Sequence, residues 1–328
     1  MKNLKIYKFI LLLFISSLGI SQGEFNNWHF GNRSWLDFNP LIVTSNSGSL
    51  LNTWEGCASM SSRTGSLLFY TDGRTVWNRS NLPMVNGTGL LGDASATTSA
   101  IIVPRPGNNF EYYIFTVDGL GGTDGINYSV VDMDFPTNDG IINPTDMGQV
   151  ILSSRNTQLL VPGNTSVSEK LSVVKHNNGR DYWIVAAIAN TNIYRVYLLT
   201  NAGISTTLPG NISTQNLGGA PIITHWSVMK HSPDGSRLAL ANLTQTNGTS
   251  IASNVWVHGF NNTTGQITIG TQVNNVTNDP QRGTGYYGVE FSPNSQLLYF
   301  SRYSGTVGEI YQKDLTNITV PALMIQTL

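Results

Sequence analysis

The sequence predicts an all-β chain, a β-propeller of four-stranded blades, and three features carry that expectation. Helical periodicity is hard to find anywhere after residue 23. Glycine is abundant at 33 residues, and asparagine is similarly frequent; both tolerate positive φ and so suit many tight turns. Pairs of apolar, alternating runs hinged on a turn recur along the chain, as half-buried strands do.

The first element is not part of that fold. Lys2, Lys5 and Lys8 precede and enter the apolar run Phe9 to Ile15, and Ser16, Ser17, Gly19 and Ser21 follow it. This is the layout of a secretory signal peptide over residues 1–22, cleaved near Ser21 to Gly23. Its apolar core of about 12 residues falls short of the roughly 20 needed to span a bilayer. No later stretch is long and apolar enough to do so. The expected product is an exported chain with no membrane span, extracellular or at the outer cell surface, with one propeller domain over residues 23–328.

Lys plus Arg is 18 and Asp plus Glu is 19, for a net charge of −1. No basic patch stands outside the leader, so nucleic acid and anionic membranes are poor partners. Cys57 is the single cysteine. No internal disulfide can form, and among the small residues Gly56, Ala58 and Ser59 the thiol reads as buried and inert.

The repeats are clearest late in the chain. "WSVMKHSPDGSRLALA" (226–241) and "GVEFSPNSQLLYFS" (288–301) both read strand, Ser-Pro-Asp/Asn turn, strand. Aligning Ser232-Pro233-Asp234 with Ser292-Pro293-Asn294 gives a period of about 60 residues. Pro233 and Pro293 suit the first central turn position, where φ is already fixed. Weaker copies start at Cys57 ("CASMSSRTGSLLFYTDG"), Ala100 ("AIIVPRPGNNFEYYIFT") and Leu171 ("LSVVKHNNGRDYWIVAA"). Further strand-like runs such as 192–198 and 254–260 bring each unit to about four strands, and five units predict blades of the WD or YVTN kind. A β-sandwich is the structural alternative. Trp28-His29-Phe30 is the expected donor of a closing strand to the last blade.

Within this frame "LLFYTDGRTVWN" (67–78) reads as an inner strand, an Asp72-Gly73 hairpin turn and the next strand. It departs from the sialidase Asp box, with Arg74 in place of glycine and Val76 in place of threonine. Gly87, Gly89 and Gly92 fit Gly-x-Gly-x-x-Gly, but strand-like sequence rather than a helix follows, so a loop is expected. Asp132, Asp134, Asn138, Asp139 and Gly140 resemble a calcium loop, yet Pro136 stands where an oxygen ligand belongs and no glutamate closes it. His29, His176, His225, His231 and His258 show no zinc spacing; His176 and His231 occupy comparable pre-turn positions, which points to packing. No Gly-x-Ser-x-Gly elbow exists. Glu55, Asp72, Glu169 and Glu290 lie near strand ends and could converge for glycoside hydrolysis. Trp35, Trp54, Trp77, Trp183 and Trp226 could stack on sugars, although aromatics at alternating positions more often form core. No residue is assigned a catalytic, cofactor or metal role.

"NWHFGN" (27–32), "LDFN" (36–39), "EGCAS" (55–59), "LLFYTDGRTVWN" (67–78), "NGTGLLG" (86–92), "YYIFTVD" (112–118), "YSVVDM" (128–133), "EKLSVVKHNNGRDYWIV" (169–185) and "FSPNSQLLYFS" (291–301) together resemble one family. It is the N-terminal propeller-like region of large exported Bacteroidetes proteins associated with gliding motility or type IX secretion. The resemblance implies export and commonly surface attachment through a C-terminal sorting domain. Here the sequence stops at "TNITVPALMIQTL" without one and before the one or two further Pro-Asp-Gly strand units that similar proteins usually carry, so the propeller reads as incomplete at its C-terminus, in a fragment or in a natural short form. The implied function is a non-enzymatic binding or adhesion module taking a protein or glycan ligand at its loops, without a cofactor; the alternative is a secreted glycoside hydrolase of propeller fold.

Overall fold

Runs rich in Val, Ile, Tyr, Phe and Leu form strands, and among the described residues the only helical turns are short 3-10 ones at Gly23–Phe25, Gly119–Gly121 and Leu152–Ser154. The computed structural model describes residues 23–327 apart from 160–165, 209–212, 221, 244, 247–249, 252 and 277–283. The expected leader, 1–22, lies outside the described residues.

Among the described residues six larger sheets follow one another along the chain, besides a small two-stranded pairing of Gln245–Thr246 with Ser250–Ile251. The first has three strands, Asn27–Phe30, Asn32–Asp37 and Thr44–Asn52. The second contains Ala58–Ser61, Leu67–Thr71, Thr75–Asn78 and Pro83–Thr88, and the third Ala100–Pro104, Glu111–Val117, Ile126–Asp132 and Gln149–Val150. A single parallel pair, Gln149 with Val85, joins the outer edges of these two. The fourth contains Val167–Lys175, Tyr182–Ile188, Ile193–Thr200 and Gly203–Ser205. The fifth contains Met229–His231, Arg237–Asn242, Ser253–Asn261 and Gln266–Val276, and the sixth Gly285–Phe291, Leu297–Tyr303, Gly308–Asp314 and Leu323–Thr327.

Within each sheet the strands pair antiparallel in chain order, and from the second sheet to the sixth the first strand lines a central channel. The chain is a β-propeller. Five of its sheets are the five hairpin units read from the sequence.

The turns form as their residues dictate. Asp234 Oδ1 accepts bonds from Ser232 Oγ, Ser236 N and Ser236 Oγ, and Gly235 takes φ +69°. In the sixth sheet Asn294 Oδ1 accepts from Ser292 Oγ and Gln296 N, and Ser295 takes φ +59° where the other copy has glycine. Leu67–Thr71 proves to be the second strand of its blade, because Ala58–Ser61 lies inside it. Trp28-His29-Phe30 does not complete the last blade. Its strand pairs with Asn32–Asp37 and begins a sheet of its own.

Neighbouring sheets pack face to face, one core per interface. Leu51, Tyr70 and Trp77 join the first to the second; Phe69, Ile114 and Val131 join the second to the third. Phe115, Ile184 and Leu199 link the third and fourth. Val185, Leu238 and Phe260 link the fourth and fifth, and Val255, Leu298 and Phe300 the fifth and sixth. No core cluster among the described residues joins the sixth sheet back to the first.

Candidate functional site

The first strands of the sheets wall a cavity of about 660 Å³, lined by residues including Met60, Ile102, Val173, Val228 and Met229. Thr97 and Thr98 stand at the end where these strands begin; Lys175, Lys230 and Glu290 stand at the other. The first end is the chemically richer one. Glu55, Thr97 and Ser227 come to it from the approaches to three inner strands, and Glu169 and Tyr287 from within two others, Val167–Lys175 and Gly285–Phe291.

These residues form one hydrogen-bonded line. Glu55 Oε1 lies 2.6 Å from the Tyr287 hydroxyl, which lies 2.9 Å from Thr97 Oγ1, which lies 2.9 Å from Glu169 Oε2. Glu169 Oε2 also accepts from Thr97 N, and its Oε1 accepts from Leu120 N. With 1% of its surface exposed, Glu169 has both carboxylate oxygens occupied by the protein.

Proton counting adds a constraint. Three contacts link two carboxylates through two hydroxyls, and each hydroxyl carries one proton. All three become hydrogen bonds only when one end of the line is protonated. Glu55 is the end suited to this: burial first, then the Glu169 and Asp93 charges, raise its pKa above the ordinary carboxylate value, against the lowering effect of Tyr287. Burial and the bond to Glu55 likewise raise the Tyr287 pKa.

Behind the line, Lys170 is wholly buried. Its ammonium donates to the carbonyl oxygens of Thr224 and Trp226 and lies 3.4 Å from Thr224 Oγ1. Burial pulls its pKa down to about 7, opposed by the Glu169 charge. With its donors spent on the segment entering the fifth sheet, Lys170 acts as a strut. His225, on that segment, is held toward its neutral form by burial and by the Lys170 charge. Trp54 stands on the rim, 87% exposed, its backbone N–H bonded to Ala94 O.

Of the four carboxylates singled out from sequence, Glu55 and Glu169 meet here. Asp72 instead accepts from Arg74 N and Thr75 N in its turn. Glu290 lies at the opposite end, 3.5 Å from Lys230. Trp77 and Trp183 are core, and Trp35 stacks on His29. His176 and His231 pack on Trp183 and Phe260. The Cys57 thiol donates to His29 O, and burial pushes its pKa up to about 11. In the 132–140 segment Asp134 is consumed by the N–H groups of Asp139 and Gly140. Gly87, Gly89 and Gly92 lie at the end of a strand and in the following loop. Among the described residues no three His, Cys, Asp or Glu side chains group as a metal site, and no helix is long and apolar enough to cross a membrane.

Thr97 and Tyr287 escaped the sequence reading, although a signal existed. The period of about 60 residues places Tyr287 on Ser227, and both touch Thr97 Oγ1, Ser227 through its backbone N–H. The repeat phase marks the mouth even where residue types differ.

No family model matches the chain, and no curated protein matches its sequence. Solved structures resemble it at low identity. The β-propeller domain of Cps50 (Swd1) from Myceliophteria thermophila is 13% identical, with 94% of this chain and 84% of that one covered and a TM-score of 0.48. Hydrazine synthase from Kuenenia stuttgartiensis is 12% identical over 90% and 76%, with a TM-score of 0.49. A Bacteroides fragilis protein provisionally named a 6-phosphogluconolactonase is 13% identical over 92% and 82%, with a TM-score of 0.45. At such identity the likeness is one of fold.

Proposed function

We propose that this chain is a non-enzymatic binding or adhesion propeller, exported to the cell surface or beyond, whose protein or glycan ligand meets it at the channel mouth around Glu55, Tyr287 and Trp54. The placement among exported Bacteroidetes proteins of gliding motility or type IX secretion is part of this reading and rests on the motif resemblance alone. The observation that carries the non-enzymatic part is the state of Glu169.

The competing reading is a glycoside hydrolase, and one feature favours it. The three contacts of the line keep Glu55 and Glu169 within the outer limit, about 9.5 Å, seen for carboxylate pairs in such enzymes. The chemistry nevertheless needs two carboxylates that can reach substrate and water. Glu169 is buried, with an N–H or O–H group on each oxygen. One carboxylate remains to face a ligand, enough to orient a hydroxyl or an amine.

A panel of aryl glycosides assayed with the wild type and Glu55→Gln separates the readings. Turnover that Glu55→Gln abolishes would establish the hydrolase. The binding reading expects no turnover from either protein, together with capture on a glycan array or on intact bacterial cells that Trp54→Ala or Tyr287→Ala weakens at least tenfold. Fusing residues 1–22 to a periplasmic reporter tests export separately.

A further inference from the structure

Interior sheets of the ring cover both faces, but the first and sixth cover one each. In the first sheet Asn27 and His29 turn inward and are buried, while Trp28, between them, is 52% exposed, and Phe30 and Leu50 are exposed on the same strands' outward side. In the sixth sheet Leu298 and Phe300 pack on the fifth, while Tyr303, Leu323 and Ile325 stand exposed. Among the described residues, fourteen of the twenty-one exposed large apolar side chains fall in segments 25–54 and 303–325. Apolar surface concentrated in this way marks a contact region.

We propose that these two faces bind each other between copies of this chain, the sixth sheet of one copy against the first sheet of the next. The chemistry limits what could cover them. Charge is scarce there: strand register puts Arg302 and its 2.9 Å partner Glu309 on the face of Phe300 and Tyr311, which packs on the fifth sheet, and puts Asp37 on the inward face of Asn27 and His29. The occupant must therefore present an apolar sheet face. This chain carries two, and each already shows on its opposite side the packing required, sheet against sheet around Leu51, Tyr70 and Trp77 in one case and Val255, Leu298 and Phe300 in the other. A contact from sixth to first sheet continues the series of interfaces around the ring. Because the two faces differ, the contact is heterologous. It adds one copy at a time instead of stopping at a symmetric dimer.

The test is the mass of the purified chain by sedimentation velocity and light scattering up to about 100 µM, with Trp28→Asp and Ile325→Asp as variants. Both positions are exposed, so circular dichroism should match the wild type; Ile325→Asp should also keep the melting curve, whereas Trp28→Asp gives up a bond to Phe25 O and the ring contact with Phe38 and should melt somewhat lower while staying folded. Mass should rise with concentration in steps of one chain, and each variant alone should be monomeric. Mixed in equal amounts, the variants should form a dimer and nothing larger, since the first has an intact sixth sheet and the second an intact first sheet. A wild type that stays monomeric overturns the proposal and points to a different polypeptide as the occupant. So does association that survives either substitution, or a mixture that remains monomeric.

Discussion

At the residue scale, Glu55 decides how the channel mouth behaves. Protonated, it donates to Tyr287, Tyr287 to Thr97 and Thr97 to Glu169, and the line is complete; ionised, it leaves one contact without a proton. Its folded pKa is raised above the ordinary 4.5, so its contribution to stability is present in full below that value and is lost as pH rises through the folded pKa. Glu55→Gln, whose amide donates at every pH, should melt at or above the wild-type temperature at pH 7, and the difference should vanish near pH 4. A variant less stable than wild type at pH 7 would contradict the proton count. Three histidines work in the opposite sense. His29, His231 and His258 are buried and neutral, and burial pulls their pKa values down to about 4, about 3 and about 4 from 6.5. The unfolded chain binds protons at these sites between pH 6.5 and about 4 when the fold does not, so stability falls with acidity across that window. Urea midpoints measured from pH 7 to pH 5 should drop steeply. His231→Gln should flatten the slope by up to about 1.4 kcal/mol per pH unit; an unchanged slope would show that His231 titrates alike in both states.

At the element scale, the approach of one loop to another sets the mouth. A Cβ at Gly56 would lie 2.2 Å from Ser99 N and 2.6 Å from Ala96 O, backbone that cannot swing aside. Gly56→Ala should separate the Glu55 loop from the 96–99 segment and cost about 1–3 kcal/mol. Gly218→Ala, where nothing lies within 4 Å, should cost little in the same melt. The sequence showed inner hairpins well because each has a local code: an alternating strand, a turn set by Pro, Asp, Asn or Gly, then a second strand. It showed the first sheet poorly. "TSNSGSLLN" (44–52) lacks that turn and is polar over its first half, because in the structure most of it is exposed. Trp28-His29-Phe30 looked like a strand in search of a distant partner, yet its partner begins two residues later, through Gly31 at φ +57°. At the site, Glu55 and Glu169 were legible as carboxylates near strand ends. Their meeting through Thr97 and Tyr287 was not, since those hydroxyls belong to sheets far apart in sequence.

At the scale of the whole molecule, cores join the sheets in series, first to second and on to the sixth, so stability should be distributed as in a linear array of repeats. A sheet held on two faces opens only by breaking two interfaces; a sheet held on one needs to break a single interface. Hydrogen exchange should report that difference at protein concentrations low enough to prevent association. Amides of Tyr182–Ile188, where Ile184 to Ile188 are wholly buried between two cores, should exchange slowest. Those of Thr44–Asn52 and Leu323–Thr327 should exchange first, because local opening there exposes little buried apolar surface. Tyr287 tempers the gradient at one point. Its bond to Glu55 ties the sixth sheet to the approach of the second across the mouth, so Gly285–Phe291 should be better protected than the outer strand of its own sheet. Tyr287→Phe removes the tie and should speed exchange in Gly285–Phe291 while leaving Tyr182–Ile188 unchanged. Uniform protection from the first sheet to the sixth would mean that the ring closes on itself, and would count against both the linear ordering of its cores and the bare faces at its two ends.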